Sequence, residues 1–183
     1  MRSVMRTFRL RRVFGVVSAV ALTFGAMAAG SGQAWAAYSG FGWESGGVQG
    51  WAVDWDGTAI SSSTTYKFAG TRSLKLPQTG EQYAGYHSPS DLTGLAVGSV
   101  VTYKVYLPAS ATHPVEAKGY VTDGNNGSFI ERFGQEKVLT PGAWTTLTLT
   151  VPAVTSIEYI GVEVDNPGWT GAVYLDAVSW TTP

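Results

Sequence analysis

The side chains best suited to chemistry in this chain are carboxylates and aromatic rings, many of them on alternate residues. Glu116, Glu131, Glu163 and Asp165 offer the makings of a facing carboxylate pair. At about 5 Å such a pair serves as acid and nucleophile in glycoside hydrolysis, and at wider spacing it holds a water. The same acids can instead accept hydrogen bonds from sugar hydroxyls. Rings complete that second reading, because the chain carries seven Trp, nine Tyr and seven Phe. Stacking one pyranose on a ring hides on the order of 100 Å² of apolar surface, about 2–3 kcal/mol before ordering costs. Two such rings give the weak, reversible affinity that suits a polymer. Tyr106 and Tyr120 are the ring candidates, with Glu116, Lys118, Arg132, Glu163 and Asp165 as hydrogen-bonding neighbours. Trp55 and Trp169, in Gly-rich or Pro-flanked loops, are expected to border the same groove.

Other chemistries lack their residues. The two histidines, His87 and His113, sit in no metal-binding motif, and neither a nucleophile elbow nor a phosphate-binding loop is present. Without cysteine there is no disulfide, thiolate ligand or thiol nucleophile. Asp54-Trp55-Asp56-Gly57, and Asp123 with Asn125 and Asn126, echo calcium loops but do not complete the ligand spacing of an EF-hand, so both read as turns. The glycosylation sequon Asn126-Gly127-Ser128 overlaps the second of these and also reads as a turn.

The elements that must position these groups are strands. From Ala37 onward, short runs rich in Val, Ile, Thr, Tyr and Trp are divided by Gly, Pro, Asn and Asp, the pattern of an all-β sandwich of two antiparallel sheets. The clearest runs are Tyr66 to Leu76, broken at Gly70, then Val100 to Leu107, Val115 to Thr122, Trp144 to Val151, Ile157 to Val164 and Ala172 to Trp180. Pro108, Pro114, Pro141, Pro152 and Pro167 fall between them, where no ladder hydrogen bond is lost. The Asn126-Gly127 step suits a hairpin. Period-two alternation sets Val101, Tyr103, Val105 and Leu107 on a core face and Thr102, Lys104 and Tyr106 opposite. In the same way Ala117, Gly119 and Val121 oppose Glu116, Lys118, Tyr120 and Thr122, while Ile160, Val162 and Val164 oppose Gly161, Glu163 and Asp165. If these three strands share a sheet, their outer faces form a single surface.

Residues 1–36 read as a secretory signal. Five arginines (Arg2, Arg6, Arg9, Arg11, Arg12) precede an apolar run from Val13 to about Gly30, and Ala34-Trp35-Ala36 is a cleavage site. Arg11-Arg12 also allows twin-arginine export beside the general secretory route. The run is short and glycine-interrupted, so no membrane association is expected after cleavage. Cleavage removes five of the 12 Lys and Arg and none of the 13 Asp and Glu, taking the net charge from −1 to −6. That excludes a nucleic-acid partner, which needs a basic stripe, and disfavours anionic polysaccharides. Residues 37–183 are the size of one domain.

Six segments then resemble a known family. Trp43-Glu44-Ser45-Gly46 with Gly50-Trp51 is similar to the opening of the galactose-binding-like β-jelly-roll carbohydrate-binding modules of secreted glycoside hydrolases. Phe68 to Leu76, Val105 to Ala109 and Val173 to Trp180 follow in order, with Tyr120 to Gly124 and Gly142 to Thr146 in support. The resemblance implies a jelly roll that binds polysaccharide of the β-glucan, mannan or xylan type without cleaving it, acting beside separate secreted glycoside hydrolases. It also implies a structural Ca²⁺, held by the side chains of Glu44 and Asp176 and by backbone carbonyls around Lys67, Gly70 and Arg72. The competing expectations are a small jelly-roll hydrolase or lyase using a carboxylate pair, and a secreted protein-interaction domain exposing a contiguous apolar patch.

Overall fold

Alternation becomes burial in the long strands. Val101, Tyr103, Val105 and Leu107 are fully buried, as are Val121, Ile160, Val162 and Val164, with Ala117 at 1% exposure. The computed structural model describes residues 40–183 except 91, 126 and 127; the expected signal segment lies outside the described residues. All described secondary structure is strand, and none of it is a helix long and apolar enough to cross a membrane.

Two antiparallel sheets face each other across this core. Sheet A is ordered β10 (Ala143–Thr150), β6 (Val100–Leu107), β12 (Thr170–Thr181), β4 (Ser73–Thr79), β3 (Ser61–Ser63), with β1 (Gly40–Phe41) also on β12. Sheet B is ordered β2 (Ala52–Trp55), β5 (Tyr83–His87), β11 (Ile157–Asp165), β7 (Glu116–Asn125), β8 (Ser128–Phe133), with β9 (Lys137–Val138) also on β7. The expected hairpin is the β7–β8 pair, whose register runs from Tyr120 opposite Phe133 to Asn125 opposite Ser128. One end of the core is closed by rings: Trp43 and Trp51 meet edge to face at 5.7 Å, with Phe41 edge-on to Trp51 at 5.5 Å. Pro77 lies inside β4, past the point where β3 stops pairing at Lys75. There its missing N–H breaks no ladder.

Two expectations need correction. The strand expected from Tyr66 begins only at Ser73. Residues 66–72 form a loop because their amides bond to carboxylates rather than to a sheet: Phe68 and Ala69 donate to Asp176, and Thr71 and Arg72 to Glu44. Nor do the three alternating strands share a sheet. β6 is in sheet A, while β7 and β11 are neighbours in sheet B, so Tyr106 and Tyr120 lie on opposite outer faces of the sandwich.

Candidate functional site

Strand register assembles a polar and aromatic strip, here termed the groove, on the outer face of sheet B. Across β5, β11 and β7, one row aligns Gly85, Glu163 and Lys118, the next His87, Gly161 and Tyr120, and a third Tyr83, Asp165 and Glu116. Glycine matters at two of these positions. A Cβ on Gly85 would collide with the Trp55 indole, and one on Gly161 with the Tyr120 ring, so each missing side chain leaves a seat for a ring from a neighbouring strand. Trp55 and Tyr120 are 5.1 Å apart between centroids, and Phe133 packs 5.8 Å from Tyr120 and edge-on to Trp55 at 6.5 Å. Tyr120 is fully buried beneath this layer, and its hydroxyl donates to Asp54 Oδ2 at 2.8 Å. Burial first, then the adjacent Asp54 charge, pushes that phenol well above its ordinary range. On the other side of Gly161, the His87 ring lies 4.3 Å from that of Tyr159.

Beside the rings sits an ionic cluster. Lys118 Nζ pairs with Glu163 at 2.8 Å and Glu136 at 3.1 Å, and is held 5.0 Å from the Phe133 ring centroid and 5.8 Å from that of Tyr83. Partial burial disfavours the ammonium, but its hydrogen bonds to Glu163 and Glu136 prevail and raise its pKa. Carboxylate oxygens of Glu116, Glu136 and Asp165 converge within 4.8 Å of one another. Asp165 is raised by burial and by the Glu136 charge, against the pull of Lys118, and its buried Oδ1 has no hydrogen-bond partner among the described residues. The groove can therefore offer apolar ring, a fixed ammonium and several acceptors to one ligand. Hydroxylated, uncharged molecules suit such a set.

Of the nine expected binding residues, Trp55, Tyr120, Glu116, Lys118, Glu163 and Asp165 meet on this face, but Tyr120, 0% exposed, lies beneath the surface as a support and not as the stacking ring expected. Three do not. Tyr106 lies on the outer face of sheet A, under Tyr66, with 4.4 Å between stacked rings. Trp169 is 5% exposed and packs over Gly171 at the core, and the little surface it keeps lines a cleft beside Tyr66 and Tyr174 instead of this face. Arg132 is opposite Val121, whose side chain faces the core, and so lies on the other side of β8, 4.0 Å from Asp123. Its neighbours Glu131 and Phe133 are the groove-facing residues of that strand. Tyr83, Tyr159, His87, Phe133 and Glu136 were not anticipated. Parity along β5 and β8 was the available signal for most of them.

No protein-family model and no curated protein matches the chain. Solved structures do. The CBM22-1 xylan-binding domain of Paenibacillus barcinonensis Xyn10C superposes with a TM-score of 0.62 at 18% identity, over 79% of this chain and 96% of that one. The CBM22-2 xylan-binding domain of the same protein gives 0.61 at 16% identity, over 78% and 97%. A structure of carbohydrate-binding modules from the β-sandwich superfamily, described for promiscuous specificity, gives 0.61 at 20% identity over 77% of this chain, which spans 60% of that one. The chain has the fold of these β-sandwich modules.

In this β-sandwich module the five residues expected around calcium come together at the loop 66–72. Asp176, 1% exposed, accepts from Phe68 N at 2.7 Å and Ala69 N at 3.0 Å through Oδ2, and from Ala177 N at 2.7 Å through Oδ1. A bulge aims it there: Ala177 adopts φ 45°, and the β12–β6 register shifts between Asp176 and Ser179. Glu44 Oε2 accepts from Thr71 N at 2.8 Å and Thr71 Oγ1 at 2.7 Å, and Oε1 from Arg72 N at 3.3 Å. Gly70, at φ 59°, lies directly under the Glu44 carboxylate, where any Cβ would collide with it. Burial pushes the Asp176 carboxyl up to about 6 against the pull of its backbone bonds, and the Glu44 charge adds to the rise. Asp176 forms no ion pair among the described residues. Two neighbouring carboxylates are hard-oxygen donors of the kind Ca²⁺ takes, and the loop groups that face them here are amide N–H donors.

Proposed function

We propose that the protein is a secreted, non-catalytic binder of neutral cell-wall polysaccharide, of the β-glucan, mannan or xylan type, and that the groove on sheet B is its binding site. The observation that carries this reading is the ring layer of Trp55, Tyr120 and Phe133, seated on Gly85 and Gly161 beside the Lys118–Glu163–Glu136 cluster. Stacking on the indole and hydrogen bonding to fixed carboxylates are the two requirements of a pyranose chain, and they occur here side by side. The fold likeness to two xylan-binding domains makes xylan the first polymer to test. Exposed Phe133 and Tyr83 on this face flank the Lys118 ammonium, so apolar surface alternates there with charge. Interleaved rings and charges suit a polyhydroxylated ligand better than an apolar protein surface. We further propose that Ca²⁺ is held by Glu44, Asp176 and the carbonyls of Lys67, Gly70 and Arg72, where it would tie the loop 66–72 to β12.

The test is electrophoresis of the protein through gels containing xylan, mannan, mixed-linkage glucan or galactan, with assay of each polymer for new reducing or unsaturated ends. Retardation without cleavage, lost in Trp55→Ala, is the expected result. New chain ends would instead make the Glu136–Asp165 pair, close enough for acid and nucleophile, the centre of a hydrolase. An absence of retardation on every polymer would overturn the reading.

A further inference from the structure

The outer face of sheet A holds a second aromatic assembly with different electrostatics. The loop that Asp176 and Glu44 clamp folds over this face. It lays Tyr66 flat against Tyr106 (4.4 Å, 28°) and edge-on to Tyr174 (4.8 Å, 69°). Next to them opens a cleft of about 410 Å³, whose walls include Thr65, Tyr66, Lys75, Ser110, Thr170 and Tyr174. The volume is at the small end of the range of ligand pockets, about 300–1,000 Å³, and suits one or two sugar rings, not a polymer segment.

Charge separates this cleft from the groove. No carboxylate lines it among the described residues. Lys75, opposite Tyr174 in the β12–β4 register, forms no ion pair among the described residues. In the groove, by contrast, Lys118 is already bonded to two glutamates and further acids stand alongside. An anionic sugar approaching the groove meets uncompensated carboxylates, whereas at the cleft it meets a lone cation among hydroxyls and a phenol face.

We propose that this cleft is a second carbohydrate site, one that takes a single saccharide unit bearing a carboxylate, such as a uronate side group of a decorated polysaccharide. Tyr66 supplies apolar surface for the sugar ring, the hydroxyls of Thr65, Ser110 and Thr170 meet sugar hydroxyls, and the Lys75 ammonium takes the carboxylate in a charge-assisted hydrogen bond. The assignment does not depend on the groove reading, since the two sites share no residue and lie on opposite sheets.

The experiment is a ¹⁵N-NMR titration of the protein with D-glucuronate and D-galacturonate, and with glucose and galactose at matched ionic strength. Saturable shifts at Thr65, Tyr66 and Gly171 with the uronates, about tenfold weaker with the neutral sugars, are expected. Lys75→Gln should weaken uronate binding about tenfold and Lys75→Arg should retain it, with gel retardation by neutral polymer unchanged in both. If Lys75→Gln fails to fold, a uronate Kd that rises with added NaCl in the unaltered protein carries the same information. Shifts confined to the residues around Trp55, equal binding of neutral sugars, an unaffected Lys75→Gln, or no saturable shift would each overturn the assignment. Loss of polymer retardation in Trp55→Ala with uronate shifts intact would show the two sites to be separate.

Discussion

Tyr120 donates its hydroxyl proton to Asp54 Oδ2 at 2.8 Å while its ring fills the space left by the absent side chain of Gly161. The bond ties β7 to β2 across two intervening strands and fixes the surface on which Trp55 lies. Rings on the groove therefore divide into supports, which are fully buried, and contacts, which keep some exposed surface.

Trp55 and Tyr120 should consequently fail in different ways. Trp55→Ala removes a partly buried contact ring, and losing its stacking surface, roughly 2–3 kcal/mol, should weaken polysaccharide binding about 30- to 100-fold, while the emptied seat over Gly85 should also cost about 2 kcal/mol of stability. Tyr120→Phe keeps the ring and deletes the hydroxyl. It should cost about 1 kcal/mol of stability by leaving the Asp54 acceptor without its donor, with a smaller loss of affinity. Urea unfolding and affinity electrophoresis on both variants check the division.

Gly161→Ala is expected to be worse than its size suggests. The added methyl would occupy the position of the Tyr120 ring, which cannot retreat because it is fully buried and bonded to Asp54. Overpacking of this kind costs about 1–3 kcal/mol. Both the urea midpoint and the groove affinity should fall, and unchanged values would show that the ring does not lie on Gly161.

Much of this arrangement was legible in the sequence, and the boundary has a physical cause. Alternation along β6, β7 and β11 gives the correct core face for every residue assigned, because side-chain period is a local property of an extended chain. Which strands share a sheet depends on pairings between residues far apart in sequence, so alternation alone cannot tell that Tyr106 and Tyr120 lie on different sheets. Arg132 went astray on a single-residue question of register, since Glu131 and Phe133 on either side face the groove. The short strand β5, with Tyr83, Gly85 and His87, carries too little apolar pattern to stand out alone. Glu44 and Asp176 were paired by family resemblance, as nothing in their spacing announces that both reach the loop 66–72.

The Lys118–Glu163 pair is mostly shielded from solvent, with side-chain exposures of 19% and 8%. Removing the ammonium in Lys118→Met leaves Glu163 charged and poorly solvated, an expected loss of about 1–3 kcal/mol. Glu163→Gln in that background should recover part of the loss, because the unpaired charge is gone. A double-mutant cycle read by chemical denaturation would yield a coupling of the order of 1 kcal/mol or more. Additive effects would mean that the pair is a surface contact of no consequence.

Asp176 gives a pH signature that calcium should erase. Its carboxyl is pushed up to about 6 in the folded protein, chiefly by burial, against an ordinary 3.8. Between about pH 4 and pH 6 the folded chain therefore holds a proton that the unfolded chain has released, so the stability contributed by this group declines as pH rises through that window. Above it the full penalty of a buried, unpaired carboxylate applies, up to about 3 kcal/mol. In EDTA, the melting temperature of Asp176→Asn relative to the unaltered protein should rise from pH 4 to pH 6 and then level off, since asparagine cannot titrate and keeps one oxygen for the loop amides. Calcium binds the ionised form, so at neutral pH it should stabilise the unaltered protein by about 2.7 kcal/mol at a hundredfold excess over Kd, and much less at pH 4. Asp176→Asn and Glu44→Gln should each abolish that increment. A melting temperature indifferent to calcium at neutral pH would leave the two carboxylates as anchors for the backbone of the loop 66–72 and nothing more.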